Sequence, residues 1–267
     1  MTVLQRTVGV LGEVLITAGA LLLLFVAWQL WWTDVVADAE QSRLSGVLQE
    51  QWQAQGRGPE PASETPTSET PASSETPASE TPASSGTPVS EPPGSGEGQG
   101  DSPPVVLAEA GEAFALVHVP RFGNGYEPRM VLEGTDAETL QDGVGHYSGT
   151  ALPGEVGNFA VAGHRVTYGK PLNQIAELRE GDAVVVETKD TWFTYRVSEY
   201  LVVTPQQVEV IAPVPGSPAD VPTERLLTLT TCNPMFSARE RYVVHARLES
   251  WQPVTQGEPT SLTLEEG

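Results

Sequence analysis

The sequence predicts an all-β domain behind a long apolar segment, and three observations predict it. After Pro103-Pro104 the chain breaks into short β-branched runs separated by Gly, Pro and Asp. The two helix signatures in that region are too brief to serve as the crossovers of a parallel βαβ sheet. Everything after residue 104 is also the size of one ordinary domain. Many short strands at regular spacing make a closed barrel or a sandwich.

Taken in order, the apolar run from Val8 to Trp32 comes first. At 1.5 Å rise per residue it is long enough for a bilayer core of about 30 Å. Trp28, Trp31 and Trp32 gather at its end, Arg6 precedes it, and Asp34, Asp38 and Glu40 follow it, which places the N-terminus inside and the bulk outside. Ala37-Asp38-Ala39 offers a signal-peptidase site as the competing reading, against which the length of the apolar run argues. A Ser-Glu-Thr-Pro unit then repeats at Ser63, Ser68, Ser74 and Ser79. Such a segment has nothing to bury, and its prolines and like charges predict an extended, solvated stalk that holds the domain off a membrane.

In the folded part, strands are expected at Ala113–Val119, Arg129–Leu132, Asn158–Ala162, Ala183–Glu187, Thr191–Val203, Arg225–Thr231 and Arg241–Leu248. Thr135-Asp136-Ala137-Glu138 reads as a capping box opening a helix that ends at Gly143, and Pro171 to Arg179 reads as a second short helix closed by Gly181. The organisation that follows is residues 1–9 cytoplasmic, 10–32 a transmembrane signal anchor, 33–104 the extracellular stalk, 105–251 the folded domain and 252–267 a disordered tail.

Fourteen basic residues against 35 acidic ones leave a net charge of −21, which excludes a nucleic-acid binder. One cysteine excludes a disulfide framework and any Cys-rich zinc module, and no acidic spacing demands calcium, so no metal and no cofactor are expected. That cysteine is informative in an exported chain, since a lone thiol outside the cell is oxidised unless it is buried or used. Cys232 ends the run Leu226 to Thr231, where a side chain reaches a cleft. A nucleophilic thiol needs an imidazole nearby. His118 and His245 sit inside apolar strands and His146 reads as structural, whereas His164 follows the strand Gly157 to Ala162 and Gly163. Arg241 opens the strand after Cys232, across a loop of eight residues, and can aim N–H groups at an oxyanion.

The segments Gly-Asn-Phe-Ala-Val-Ala-Gly-His-Arg at Gly157 and Thr-Leu-Thr-Thr-Cys-Asn-Pro-Met-Phe-Ser-Ala-Arg-Glu-Arg-Tyr at Thr228 together closely resemble the sortase family of cell-wall transpeptidases. Thr-Leu-Thr-Thr-Cys and Gly-His-Tyr-Ser-Gly-Thr-Ala-Leu-Pro-Gly at Gly145 resemble its class E, a housekeeping type of high-GC Gram-positive bacteria. The resemblance covers Phe114 to about Leu248. It implies an eight-stranded β-barrel with short helices and a triad of His164, Cys232 and Arg241, with Arg239 left to the loop. It implies cleavage of a C-terminal LAXTG- or LPXTG-type sorting signal between Thr and Gly, a thioacyl-enzyme on Cys232, and transfer to an amine of a lipid-linked peptidoglycan precursor. The partners it implies are surface proteins bearing that signal. Tyr147, Thr230 and Thr231 are the implied substrate contacts, and Val203 to Pro215 is the stretch best suited to a groove loop. Asn233 departs from the His common after the cysteine in class E. The same three groups would serve an exported thiol protease, and a buried Cys232 would leave a non-catalytic wall-binding barrel.

Overall fold

In the computed structural model the described residues are 3–56, 105, 108–123 and 125–262, with the side chains at 3–9, 27, 30–35 and 38 excepted. Eight strands close into a barrel: β1 (Ala113–His118), β2 (Arg129–Glu133), β3 (Val144–His146), β4 (Gly157–Ala162), β5 (Ala183–Glu187), β6 (Thr191–Val203), β7 (Arg225–Asn233) and β8 (Glu240–Pro253). Around the barrel they run β1-β2-β3-β4-β7-β8-β6-β5. The pairs β2/β3 and β4/β7 are parallel, and the others are antiparallel. The interior is filled by alternate residues from every wall, among them Val117, Val131, Phe159, Val161, Val184, Phe193, Leu227, Leu229 and Val244.

All seven expected strands are present. The strand missing from the sequence reading is β3, because it is only three residues long and looks like a glycine turn. Its glycines answer to tertiary crowding. A Cβ on Gly143 would lie 2.5 Å from the Met130 carbonyl oxygen, and one on Gly145 would lie 2.2 Å from that of Gly134. No larger residue fits where β3 crosses so close to β2 and its following turn.

Both expected helices shrink. The first is a single turn, α2 (Thr139–Asp142), and its cap is the Asp136 carboxylate, which accepts from the Glu138 and Thr139 amides, in place of Thr135. The second reduces to one 3-10 turn at Ile175–Glu177. The expected tail is also ordered through residue 262: β8 runs to Pro253, the Val254 amide donates to the Asp190 carbonyl, and Thr194 and Ser261 share a hydroxyl hydrogen bond of 3.3 Å.

The largest departure is at the N-terminus. One helix, α1, spans Val3–Ala54 without a break, so residues 33–54 are helical where the sequence reading begins an extended stalk. Its last turns pack on the barrel. Leu48 and Trp52 cover Leu116, Met130 and Leu132, which explains why β1 and β2 are apolar on both faces. The Ser-Glu-Thr-Pro repeats lie outside the described residues. Among the described residues no helix is long and apolar enough to cross a membrane.

Candidate active site

The site is set by which strand residues face which way. In β7, Leu227 and Leu229 point into the barrel, so Thr228, Thr230 and Cys232 face outward. Phe159 and Val161 do the same in β4, and Val244 and Ala246 in β8, which turns Asn158, Ala160 and Ala162 outward, together with Val243 and His245. Cys232 pairs directly with Arg241 in the β7/β8 ladder, and residues paired across an antiparallel ladder share a face with Cβ atoms roughly 5 Å apart.

On the other flank the parallel β4/β7 register ends at Ala162 opposite Thr230. Two further bonds carry the pairing past the strand end. The Gly163 amide donates to the Thr230 carbonyl at 3.1 Å, and the Thr231 hydroxyl donates to the Gly163 carbonyl at 2.6 Å. Continued two residues past the strand end, that register leads to His164 opposite Cys232. Gly163 is needed here because a Cβ would lie 2.9 Å from the Leu172 side chain. Cys232 and Arg241 thus lie side by side on the outer face of β7 and β8, and His164 follows two residues after the end of β4, the strand that pairs with β7 on the other flank.

Each group has a distinct environment. Cys232 is free and half-buried. Burial pushes the His164 imidazole below its ordinary pKa, and its aromatic neighbour is Tyr168, ring centroids 4.9 Å apart. Among the described residues no carboxylate hydrogen-bonds to it. Arg241 donates from Nη1 to the carbonyls of Ala238 and Glu240, at 2.9 and 3.0 Å, a pair of bonds that fixes the base of the guanidinium and uses two of its five N–H groups.

A sortase domain family model matches residues 117–249. Sortase SrtE2 of Streptomyces coelicolor is 34% identical over 250 residues, covering 91% of this chain and 82% of its own length. The chain belongs to the sortase family. Sortase SrtE1 of the same organism is 34% identical over 260 residues, and the match spans 94% of this chain but 60% of that protein's length. Among solved structures, sortase E from Streptomyces avermitilis matches with a TM-score of 0.53 and 45% identity over 58% of this chain and 100% of that one. Sortase E1 from S. coelicolor, solved with a tripeptide in the active site, matches with a TM-score of 0.53 and 36% identity over the same shares.

Around the three groups this sortase builds a polar floor. The Tyr147 hydroxyl lies 3.0 Å from the Thr230 hydroxyl, and Thr230 also donates to the Val161 carbonyl, so Tyr147 stands on the face that carries Cys232. Thr231 turns to the opposite side, where its hydroxyl donates to the Gly163 carbonyl. The β6–β7 connection crosses the lower part of the same face. Its Val210 and Ala212 carbonyls accept from Asn158 Nδ2, at 3.4 and 3.0 Å, which pins the stretch expected to form a groove wall.

Two further residues tie the site together: Arg165, which sequence reasoning passed over, and Asn233, noted there only as a departure from the class E pattern. Arg165 is buried, donates to the Cys232 carbonyl and to Asn233 Oδ1 at 2.6 Å, and lays its guanidinium over the Tyr242 ring. Asn233 in turn donates to Glu240 at 2.8 Å. The Arg165–Asn233–Glu240 chain clamps the ends of β4, β7 and β8 into one rim. A signal was present in Gly-His-Arg, an arginine directly after the candidate histidine in an apolar context. Among the described residues no group of three or more His, Cys, Asp and Glu side chains could hold a metal.

Proposed function

We propose that this sortase is a cysteine transpeptidase acting on a C-terminal sorting signal, with Cys232 as nucleophile, His164 as proton-transfer group and Arg241 as oxyanion donor. What supports the reading is the β7/β8 ladder, in which Cys232 and Arg241 are direct partners, together with the parallel β4/β7 register, which ends two residues before His164. The Cys232 sulfur, as thiolate, attacks the threonine carbonyl carbon. Charge moves to the carbonyl oxygen, where the remaining N–H groups of Arg241 stabilise it. The C–N bond to glycine then breaks as His164 gives its proton to the departing amine, leaving a thioester. An incoming amine attacks that thioester, surrenders a proton to His164, and expels the Cys232 thiolate.

Sortase E1, solved with a tripeptide in its active site, supports a peptide substrate at this face. Tyr147, fixed through Thr230, stands where its hydroxyl could accept from a backbone N–H of the signal, and a proline at the second signal position has no N–H to give. That favours LAXTG over LPXTG signals. The acceptor is the amine of a peptidoglycan precursor and the products are wall-anchored surface proteins.

The membrane anchor at 10–32 belongs to the same proposal and rests on the apolar run of the sequence from Val8 to Trp32. Its apolar side chains Val10, Leu11, Val14, Leu15, Ile16, Leu21 to Val26 and Trp28 are bare, a surface that water does not tolerate at this size. Gln41 lies nine residues beyond Trp32 on the same helix, roughly 14 Å of rise, and is already buried on the barrel. The catalytic domain then sits close over the outer leaflet, within range of a lipid-linked acceptor.

The test is incubation of the enzyme with LAXTG and LPXTG peptides, with and without an acceptor amine, followed by mass spectrometry. A thioacyl adduct on Cys232 and an amine-ligated product are expected. Products released only as free acid in the presence of amine would make the protein a thiol protease, and an unreactive Cys232 would make it a wall-binding barrel.

A further inference from the structure

The histidine does not stand on a regular strand. It is followed by a loop in which three consecutive residues, Tyr168, Gly169 and Lys170, have φ of 51, 66 and 41°. For the two non-glycine residues that conformation is costly and persists only where the surroundings enforce it. The enforcing group comes from α1. Gln41 is 2% exposed and sits against the loop. Its Nε2 donates to the Tyr168 carbonyl at 2.8 Å and, more weakly, to the Gln141 carbonyl at 3.3 Å, while its Oε1 accepts from Arg129 at 3.2 Å. Gly169 packs on the same amide so closely that a Cβ there would come within 3.1 to 3.2 Å of it.

The loop is joined to the histidine at both levels of structure. The Leu172 amide donates to the His164 carbonyl, the Lys170 amide donates to the Thr167 carbonyl, and the Tyr168 ring rests on the imidazole. Releasing the Tyr168 carbonyl therefore releases the ring that fixes His164.

We propose that the juxtamembrane half of α1 is a strut for the active site, in which Gln41 is a positioning residue: it clamps the 165–170 loop in its left-handed conformation and so holds Tyr168 against the His164 imidazole. The inference rests on the reading of His164 as the proton-transfer group, but the clamp itself does not. Proton transfer to the leaving amine needs the imidazole within a few tenths of an ångström of its place, whereas docking of the signal on the β4/β7 face does not. Loss of the clamp accordingly slows thioester formation and spares binding.

The experiment compares the full chain with Gln41→Ala, Ser45→Ala and Tyr168→Ala. Ser45 lies one turn further along, its hydroxyl reaching the Pro128 carbonyl at 3.0 Å and the backbone carbonyl, not the side chain, of Gln41 at 2.9 Å, and among the described residues it makes no hydrogen bond to the loop, so it controls for weakened docking. In Gln41→Ala, hydrogen exchange at the Lys170 and Leu172 amides is expected to accelerate, and kcat for a sorting-signal peptide to fall roughly tenfold with KM unchanged. Ser45→Ala should leave both kcat and the two amides as they are. Tyr168→Ala should reproduce the kcat loss, and adding Gln41→Ala to it should cost little more. Unchanged exchange in Gln41→Ala overturns the clamp, and faster exchange with unchanged kcat overturns the positioning role. An equal kcat loss in Ser45→Ala makes the effect one of docking only, which also overturns it. A wild-type enzyme that never turns over a signal would sink the proposed function, while the exchange measurement would still decide the clamp.

Discussion

The barrel carries histidines in two kinds of place, and the contrast between them explains which one can work. Within the buried wall, His118 shares a 2.7 Å hydrogen bond with Glu187, and His146 shares one of 2.5 Å with Glu133 while its other nitrogen meets Thr150 and Ala151. Those rings are held on their nitrogens by buried groups and cannot exchange protons with a ligand without breaking them. At the rim, His164 is held on its face by Tyr168 and through its backbone by Gly163 and Leu172. Its position is fixed while its nitrogens are left for chemistry. His245 is an intermediate case: it faces outward like Cys232 but lies deeper along the strand, bonded to Thr228 at 2.8 Å, under the β6–β7 connection.

Breaking the rim should cost activity and spare stability. Cys232→Ala is expected to abolish turnover and the thioacyl adduct, read by mass spectrometry, with an unchanged melting curve. Arg241→Ala should lower kcat by roughly 10²–10³. An effect of less than threefold would take the oxyanion role from it. Breaking the wall should do the reverse. Glu133→Ala strands the buried His146 Nδ1 and should cost about 1–3 kcal/mol in denaturant unfolding, while turnover per folded molecule stays near wild type.

Titration sharpens the same comparison. Burial lowers the pKa of both His245 and His164, with Glu199 partly opposing the shift at His245. The unfolded chain therefore takes up protons on these residues first as pH falls. Stability should decline as pH drops below about 6.5 and continue to decline until the lowered folded values are passed. A His245→Gln variant should show a shallower decline. For activity, the lowered His164 value places the acid limb of the kcat/KM profile below 6.5. The smallest expected effect is at Tyr147: Tyr147→Phe should narrow the preference for Ala over Pro at the second signal position, measured as a ratio of kcat/KM values, without a change in the rate on the better peptide larger than a few fold.

Much of this was legible because it is written locally. Runs such as Ala183 to Glu187 and Thr191 to Val203 declare strands by their β-branched content, and both strands have those bounds. Cys232, His164 and Arg241 stand out for the same reason: each sits at a strand end, and strand ends are visible in one dimension. What was hidden depends on distant partners. Gly143 and Gly145 look like turn residues until β2 is seen pressing on them, and Asp136 outcompetes Thr135 as a cap through side-chain geometry that the motif does not encode. Residues 33–54 read as the start of a polar linker because only one face of that helix is apolar enough to be buried, and the barrel that buries it begins more than fifty residues later.

The sequence alone determined the barrel's strands, the apolar N-terminal segment and the chemical identity of the three candidate groups, since those follow from side-chain type and from spacings of a few residues. Tertiary structure decided that Cys232 and Arg241 share one face, that Arg165 and Asn233 bind their strand ends into a rim, and that α1 turns its polar Gln41 inward onto the histidine loop. Registers between strands and the docking of a helix are set by packing between segments far apart in the chain, and no local pattern carries that information.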